Sequence, residues 1–295
     1  MADERDKGGF LVRILKFGLI GLACLYLIAL GTLYVFQRNF IFHPDTRAMT
    51  PKEAGLAGFD SVAITPQLHS WWHPSGDPKA PVILYFHGNG GALAGRVGIF
   101  ADMAEWGAGV LAVGYPGYAG NPGTPSEAGI HAAAQANYDW LIKQGISPDR
   151  IVITAHSMGT GAAVPLAAQN RAAGLILESP FTSLAAVAQR MMPMFPTKWL
   201  VSDPFRNTDT IERVRIPVVW MHGTADQLIP YAMGEALFAS VHAPKCFLRI
   251  EGGDHDHLWG QGVAAFTRRQ AFSFVQSGTC DGRPVRLDKG QLLPG

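Results

Sequence analysis

The chain has 295 residues, of which 48% are hydrophobic and 16% are charged, so it contains enough apolar material for a sizeable core. Its 24 Lys and Arg residues balance 23 Asp and Glu residues, and no long basic run occurs, which argues against a nucleic-acid partner. The 34 glycines and 20 prolines are scattered between apolar runs, as in a loop-rich globular protein and not a disordered one.

Three cysteines are too few for a disulfide framework, and no CxxC spacing occurs. Cys24 lies in an apolar segment. One bridge between Cys246 and Cys280 would suit an oxidising compartment, but the sequence favours two free or buried thiols.

The stretch 17–36 (FGLIGLACLYLIALGTLYVF) contains no formal charge. A helix of this length rises about 30 Å, the thickness of the hydrocarbon core of a bilayer. A cleaved signal peptide usually has a shorter apolar region and a small-residue cleavage site, whereas Gln37 and Arg38 follow this run directly. A buried core helix is the other alternative, but an apolar helix at a terminus is unusual for one. The sequence therefore predicts a 1–16 tail and a single membrane anchor at 17–36.

Basic side chains flank the predicted anchor on both sides: Arg5, Lys7, Arg13 and Lys16 before it, and Arg38, Arg47 and Lys52 after it. Because basic residues favour the cytoplasmic side, this small excess favours a cytoplasmic N-terminus. The bulk of the chain would then lie on the non-cytoplasmic side.

After a connector at 37–58, apolar runs of strand length alternate with helical patterns over 59–278. The predicted strands are 59–64, 68–73, 81–87, 109–115, 150–156, 174–179, 218–222 and 245–251. The predicted helices are 92–105, 126–144, 158–169, 231–241 and 264–276. Several strands are continuously apolar, as in a parallel sheet covered by helices on both faces. The alternation predicts a doubly wound α/β domain, and Pro165 predicts a kink or an early end in the third of these helices.

A serine lies at the turn that follows the predicted strand 150–156, in the run Ala155-His-Ser157-Met-Gly159. This run is a variant of G-x-S-x-G in which alanine replaces the first glycine. Small residues are needed on either side because the serine sits on a strained strand-to-helix turn where backbones approach closely. The pattern predicts Ser157 as a nucleophile; the alternative is a serine that caps an ordinary helix.

A serine nucleophile needs an imidazole base and a carboxylate that orients it. Asp226 follows the predicted strand 218–222, and His255 lies in a glycine loop after the strand 245–251. We predict these two residues as acid and base. Glu178 is the rival acid, with a structural hydrogen-bonding role preferred for it, and His257 is the rival base.

Other polar residues near these strand ends receive less specific predictions. His156 and His222 are expected to be packed or turn residues. His255 and His257, with Asp254 and Asp256, lack a further ligand cluster, so no metal site is expected.

The run His87-Gly-Asn-Gly-Gly91 follows the predicted strand 81–87. A loop with so little side-chain bulk can turn a backbone N–H toward a substrate carbonyl. We predict the amides of Asn89 and Met158 as an oxyanion hole. A phosphate-binding loop is not indicated, because neither G-x-G-x-x-G nor a Walker lysine is present.

The motifs HGNGG, AHSMG, ESPF, HGTAD and GGDH, read in this order over about 17–275, resemble the α/β-hydrolase superfamily. The stretch 37–42, directly after the anchor, is similar to that of its single-span, membrane-anchored serine hydrolases. The resemblance implies an eight-stranded, mostly parallel sheet, no cofactor, and hydrolysis of esters, thioesters or amides through an acyl-enzyme. Known members of this branch include lipid esterases and protein depalmitoylases. Ala155 and Asp256 depart from the usual pattern, and the tail 279–295 is expected to be extended or disordered.

Of all the features considered, the identity of the substrate is the one that the sequence indicates least clearly. The short insertion 182–216 is rich in Met and aromatic residues, which suit acyl chains, although they would equally serve to cover the sheet. The leading hypothesis is a serine esterase or thioesterase that acts on lipidic or acylated small-molecule substrates at a membrane. The alternatives are a peptidase or amidase of the prolyl-oligopeptidase kind and an inactive hydrolase-fold scaffold.

Overall fold

The computed structural model describes residues 2–255, 263–277, 285–288 and 291–292. Within them the sheet contains the strands β1 (Asp60–Thr65), β2 (Leu68–His73), β3 (Val82–Phe86), β4 (Gly109–Ala112), β5 (Ile151–His156), β6 (Gly174–Glu178), β7 (Val218–Gly223), β8 (Lys245–Glu251), β9 (Val285–Asp288) and β10 (Gln291–Leu292). The α-helices are α1 (Ala2–Ile41), α2 (Val97–Glu105), α3 (Glu127–Lys143), α4 (Thr160–Gln169), α5 (Leu184–Met191), α6 (Thr197–Leu200), α7 (Tyr231–Ala239) and α8 (Val263–Ser277).

The strands form one sheet in the order β1-β2-β4-β3-β5-β6-β7-β8-β9-β10. Strands β3 to β8 pair in parallel, and β1 and β2 add an antiparallel edge. The prediction of an eight-stranded, mostly parallel sheet is therefore confirmed by β1 to β8. Because the carboxyl ends of the parallel strands meet at one edge, the loops that follow β3, β5, β7 and β8 lie together there.

Apolar cores cover both faces of the sheet. Successive residues of a strand point to opposite faces, so Ile83 packs in one core and Leu84 in the other. All five residues of β3 are buried. This two-sided burial is the reason for the continuous apolar runs in the sequence.

Pro165 does not end α4, which continues to Gln169. Proline lacks the N–H that would bond to the carbonyl four residues earlier, that of Gly161. That carbonyl accepts a hydrogen bond from Nε2 of His131 on α3 instead, at 2.9 Å. A side chain from the neighbouring helix thus replaces the lost backbone bond, and the prediction of an early end is not met.

Helix α1 is longer than the predicted anchor and continues to Ile41, inside the predicted connector. Its segment 12–41 is long and apolar enough to cross a membrane, and the most apolar 18-residue window within it has a mean hydropathy of 2.3. The end of the helix is bonded to the domain: Nε of Arg38 lies 2.8 Å from Oδ2 of Asp203, and Oε1 of Gln37 accepts from the amide of Ser202 at 2.7 Å. These polar contacts hold the part of the helix that lies beyond its apolar run.

One further expectation differs from the structure: Cys246 is disulfide-bonded, whereas the sequence favours a free or buried thiol there. Cys24 is a free thiol, and Cys280 lies outside the described residues. Strands β9 and β10 lie in the tail 279–295 and lengthen the sheet beyond β8. Strands of four and two residues are too short to show the apolar periodicity by which a strand is predicted from sequence.

A buried ion pair fastens α8 to the sheet. Arg268 donates from Nε to Oε1 of Glu178 at 2.9 Å, and the two residues are 3% and 1% exposed. Burial raises the pKa of Glu178, and the guanidinium of Arg268 opposes that shift. Glu178 therefore has the structural role preferred for it and is engaged by Arg268.

We expect Arg268→Ala to lower the free energy of unfolding by about 3–5 kcal/mol, because it leaves the Glu178 carboxylate buried without its partner. Arg171→Ala is the control, since Arg171 pairs with Asp149 at the surface, where the side chains are 79% and 70% exposed. It should change stability little. Urea unfolding in detergent, followed by tryptophan fluorescence, measures both, and equal losses would contradict the assignment.

Candidate active site

The turn after β5 holds Ser157 in a left-handed backbone conformation, with φ of 51°. Such a φ is strained for a residue other than glycine and is typical of functional turns. A Cβ at Gly159 would clash with the carbonyl of Phe86 and lie 2.8 Å from that of His87, so only glycine fits there. Ala155 is fully buried in β5, and its single methyl group is accommodated.

The structure brings together the three residues predicted as nucleophile, acid and base. Nε2 of His255 lies 3.0 Å from Oγ of Ser157, and Nδ1 of His255 lies 2.8 Å from Oδ2 of Asp226. All three are less than 9% exposed. In this arrangement Nδ1 carries the ring proton and donates a hydrogen bond to the carboxylate, so the unprotonated Nε2 can accept the proton of the serine.

The carboxylate of Asp226 is held by backbone donors as well. Oδ1 accepts from the amides of Leu228 at 3.0 Å and Ile229 at 2.8 Å. Burial by itself raises the pKa of Asp226, but hydrogen bonds from His222 and His255 outweigh it and place the pKa well below its ordinary value. Asp226 therefore stays ionised and can orient His255.

His222 contacts the carboxylate of Asp226, whereas the sequence predicts only a packed or turn residue at this position. Nε1 of Trp220 donates to Nδ1 of His222 at 3.1 Å, which leaves the ring proton on Nε2. Nε2 lies 2.9 Å from the carbonyl of Ile229 and 3.3 Å from Oδ2 of Asp226. The only signal in the sequence was its position four residues before Asp226 in the HGTAD run.

The other residues that the sequence offered as acid, base or neighbour of Ser157 are not part of this hydrogen-bonded series in the described structure. Glu178 is bonded to Arg268, and His257 lies outside the described residues. The ring of His156 is 5.2 Å from that of His255, and burial together with His255 holds the pKa of His156 well below its ordinary value, so the ring is neutral. Within the described part of the chain, no three His, Cys, Asp or Glu residues are grouped so as to hold a metal ion.

The glycine loop after β3 faces the nucleophile. Gly88, Asn89 and Gly90 line the same cavity as Ser157 and Met158. The amides of Asn89 and Met158 donate to no acceptor within the described residues, which leaves them available to a ligand. The structure thus brings both predicted donors to the cavity that holds Ser157.

His87 holds the start of this loop. Its ring is fully buried 4.2 Å from that of Tyr115, and its Nδ1 donates to the carbonyl of Gly88 at 2.7 Å. Burial, aided by the charge of Arg96, lowers the pKa of His87 to about 3. A neutral ring that donates to its neighbour's carbonyl fixes the direction in which the loop leaves the strand.

The side chain of Asn89 connects this loop to the end of α1. Its Oδ1 accepts from Oη of Tyr118 at 2.9 Å and from the amide of His43 at 3.2 Å, and its Nδ2 donates to the carbonyl of Ile41. The amide of Gly91 also donates to the carbonyl of His43 at 3.2 Å. Ile41 and His43, at the end of α1 and just after it, therefore brace the glycine loop, a role not expected of a connector.

A cavity of about 410 Å³ lies over Ser157 and His255. Much of its wall is apolar: Phe181, Leu184, Val187, Met191, Met192 and Leu228. Four of these residues belong to the predicted insertion 182–216. Part of that insertion therefore lines the site and does not only cover the sheet.

Comparison with known proteins identifies the family. A family model described as the alpha/beta hydrolase fold matches residues 81–203. A protein of Mycobacterium tuberculosis without an assigned function is 34% identical over 226 residues, which is 75% of this chain and 80% of that protein. The chain belongs to the α/β-hydrolase superfamily. Members of this superfamily place the nucleophile, acid and base in the order Ser, Asp, His seen here.

Two further α/β-hydrolases are similar to this chain. The lysophosphatidylserine lipase ABHD12 of Danio rerio is 33% identical over 190 residues, 57% of this chain and 49% of that protein, so this chain spans about half of that relative. A Pyrococcus furiosus esterase has a TM-score of 0.63 at 16% identity, over 80% of this chain and 97% of that one. At 16% identity, the likeness to the esterase supports the fold alone. The likeness to the lipase adds support for a hydrolase.

We expect Asn89→Ala to lower kcat for a p-nitrophenyl ester roughly 10- to 100-fold, with a smaller change in KM. The amide at position 89 remains, but it is no longer held in place, and misplacement of such a donor weakens transition-state binding more than substrate binding. Asn170→Ala is the control, since Asn170 bonds to Gln135 and Leu166 away from the site. A similar kcat loss in both variants would show that Asn89 matters only for general stability.

Proposed function

We propose that this α/β-hydrolase is a single-span, membrane-anchored serine hydrolase that cleaves carboxylic ester or thioester bonds in lipidic or acylated substrates. The observation that carries the proposal is the hydrogen-bonded series Ser157, His255 and Asp226 beside an apolar cavity. The distance of 3.0 Å between Oγ of Ser157 and Nε2 of His255 suits proton transfer from a nucleophile to a base. The distance of 2.8 Å between Nδ1 of His255 and Oδ2 of Asp226 lets the carboxylate orient the base.

In the first half of the reaction, Oγ of Ser157 attacks the carbonyl carbon of the substrate while its proton passes to Nε2 of His255. The amides of Asn89 and Met158 would stabilise the negative charge on the carbonyl oxygen. Collapse of this intermediate breaks the bond to the leaving alcohol or thiol, which takes the proton from His255. Asp226, which stays ionised, stabilises the imidazolium throughout.

In the second half, water attacks the acyl group on Ser157 and gives a proton to Nε2 of His255. The second tetrahedral intermediate then collapses, the ester bond to Oγ breaks, and the serine recovers its proton from His255. The product is a carboxylic acid. These steps use the side chains and amides named here together with one water molecule.

The chemistry of the cavity favours an apolar acyl group. Its methionines adapt to flexible chains, and its volume lies in the range of small-molecule sites. The relative from Danio rerio is named as a lysophosphatidylserine lipase. That name agrees with a lipid ester as substrate for this chain.

A fluorophosphonate probe should label the wild-type protein, and Ser157→Ala should abolish that labelling, because the probe reacts with an activated serine. The same substitution should reduce hydrolysis of p-nitrophenyl butyrate to the background rate. Ser179→Ala is a suitable control, because Ser179 is also a buried serine with a left-handed φ, of 46°. Its backbone amide, however, bonds to strand β7. It should keep the labelling.

The outcomes separate the alternatives. Labelling that persists in Ser157→Ala would reject the nucleophile. Absence of labelling and of esterase activity in a folded wild-type protein would instead favour the inactive scaffold. Faster cleavage of aminoacyl anilides than of p-nitrophenyl esters would favour the peptidase or amidase.

Sidedness is a separate part of the proposal: the catalytic domain is placed on the non-cytoplasmic side of the membrane. The small excess of basic residues before the anchor supports this orientation. The disulfide bond of Cys246 supports it as well, because disulfides persist mainly in oxidising compartments.

In sealed membrane vesicles of known orientation, added protease should digest the domain only when the non-cytoplasmic face points outward. Vesicles opened with detergent provide the control for intrinsic resistance to the protease. Digestion from the cytoplasmic face would reverse the assignment.

A further inference from the structure

One face of the anchor helix borders a groove that is separate from the catalytic cavity. The groove is lined from α1 by Leu30, Leu33, Tyr34, Gln37, Phe40 and Ile41. These positions recur three and four residues apart, so they share one side of the helix. The opposite wall consists of insertion residues, among them Ala188, Met192 and Leu200. The anchor and the insertion therefore form this groove jointly.

The groove adjoins the catalytic cavity. Phe40, Ile41, Ala188 and Met192 line both spaces, and the cavity holds Ser157. The two spaces therefore share part of a wall, and a chain-like ligand that lies along α1 would be next to the cavity of Ser157.

The insertion lies beside the apolar part of the anchor. Oη of Tyr26 donates to the carbonyl of Met194 at 2.9 Å, and its ring stacks on that of Phe195 with centroids 5.5 Å apart. At the polar end, Arg38 pairs with Asp203. Tyr26 and Arg38 are about 18 Å apart along the helix axis, more than half the depth of a hydrocarbon core. The insertion therefore extends alongside the segment that would be within the membrane.

Its exposed surface is suited to that position. Met191, Met194 and Trp199 are 60%, 75% and 79% exposed. Large apolar side chains grouped on a surface mark a contact with a partner or a membrane. Met194 lies beside α1 through its bond to Tyr26, and this position favours the acyl chains of a bilayer as the contact.

We propose that the groove takes up the acyl chain of a lipid ester directly from the bilayer and guides its ester group to Ser157. The substrate class is then an ester of a long-chain fatty acid that resides in the membrane. From Leu30 to Ile41 the groove follows about 16 Å of helix, from inside the predicted span 17–36 to the residues just beyond it. This inference rests on the proposed function, because it requires Ser157 to be an esterase nucleophile.

Leu33→Trp tests the groove, since a larger side chain at that position fills it. Val35→Trp is the matched control: it lies at the same depth, two residues along the helix, and is 71% exposed on another side. Each variant is reconstituted in full length into phosphatidylcholine vesicles that contain monooleoylglycerol. Release of oleate is compared with hydrolysis of p-nitrophenyl acetate, a short ester that arrives from water.

We expect Leu33→Trp to lower the ratio of the oleate rate to the acetate rate about tenfold or more, and Val35→Trp to leave that ratio near the wild-type value. Fluorophosphonate labelling of Ser157 checks that each variant retains a folded centre. A Leu33→Trp variant without labelling is replaced by Leu200→Trp, which fills the groove from the opposite wall.

Two results would overturn the proposal while the proposed function stands. One is an equal ratio in the groove variant and the control. The other is a wild-type protein that hydrolyses p-nitrophenyl acetate but releases no oleate from vesicles. If the wild type neither hydrolyses the acetate ester nor reacts with the probe, the proposed function itself is wrong.

Discussion

The close approach of the turn at Ser157 to the end of β3 is the constraint on which the rest of the site depends. The left-handed backbone of Ser157 projects its side chain from the sheet edge, and the absence of a Cβ at Gly159 lets the turn contact the carbonyls of Phe86 and His87. Ser157 and the glycine loop therefore become neighbours. Strain of this kind persists only where the surroundings overdetermine it, and here the parallel pairing of β3 with β5 does so.

Buried polar groups are the second requirement. Asp226 is ionised inside the protein, and four donors compensate its charge: two backbone amides, His255 and His222. Glu178 has its own partner in Arg268. Because an uncompensated buried charge is very costly, each carboxylate depends on its donors, and the two networks have separate tasks. One network orients the base, and the other fastens α8.

The anchor helix is part of the site as well as the proposed attachment to a membrane. Its last turn contributes to the wall of the catalytic cavity, and the residues after it bond to the glycine loop through Asn89. Movement of the helix relative to the domain would disturb the loop and the insertion together. This arrangement makes α1 a structural support of the cavity that holds Ser157, whether or not the helix also crosses a membrane.

The sequence by itself determined the strands, the order of the polar residues at their ends, and the apolar segment at the N-terminus. Each of these is a local pattern: a continuous apolar run such as β3 follows from burial on both faces, and Ala155-His-Ser157-Met-Gly159 follows from the sterics of one turn. Only the tertiary structure decided that Asp226 and not Glu178 lies next to His255, that His222 touches the acid, and that His131 repairs the helix at Pro165. It also decided that Asn89 joins the glycine loop to α1. Ser157 and His255 are 98 residues apart in the chain, and hydrogen bonds over such separations depend on how the strands are ordered in the sheet, which no local pattern records.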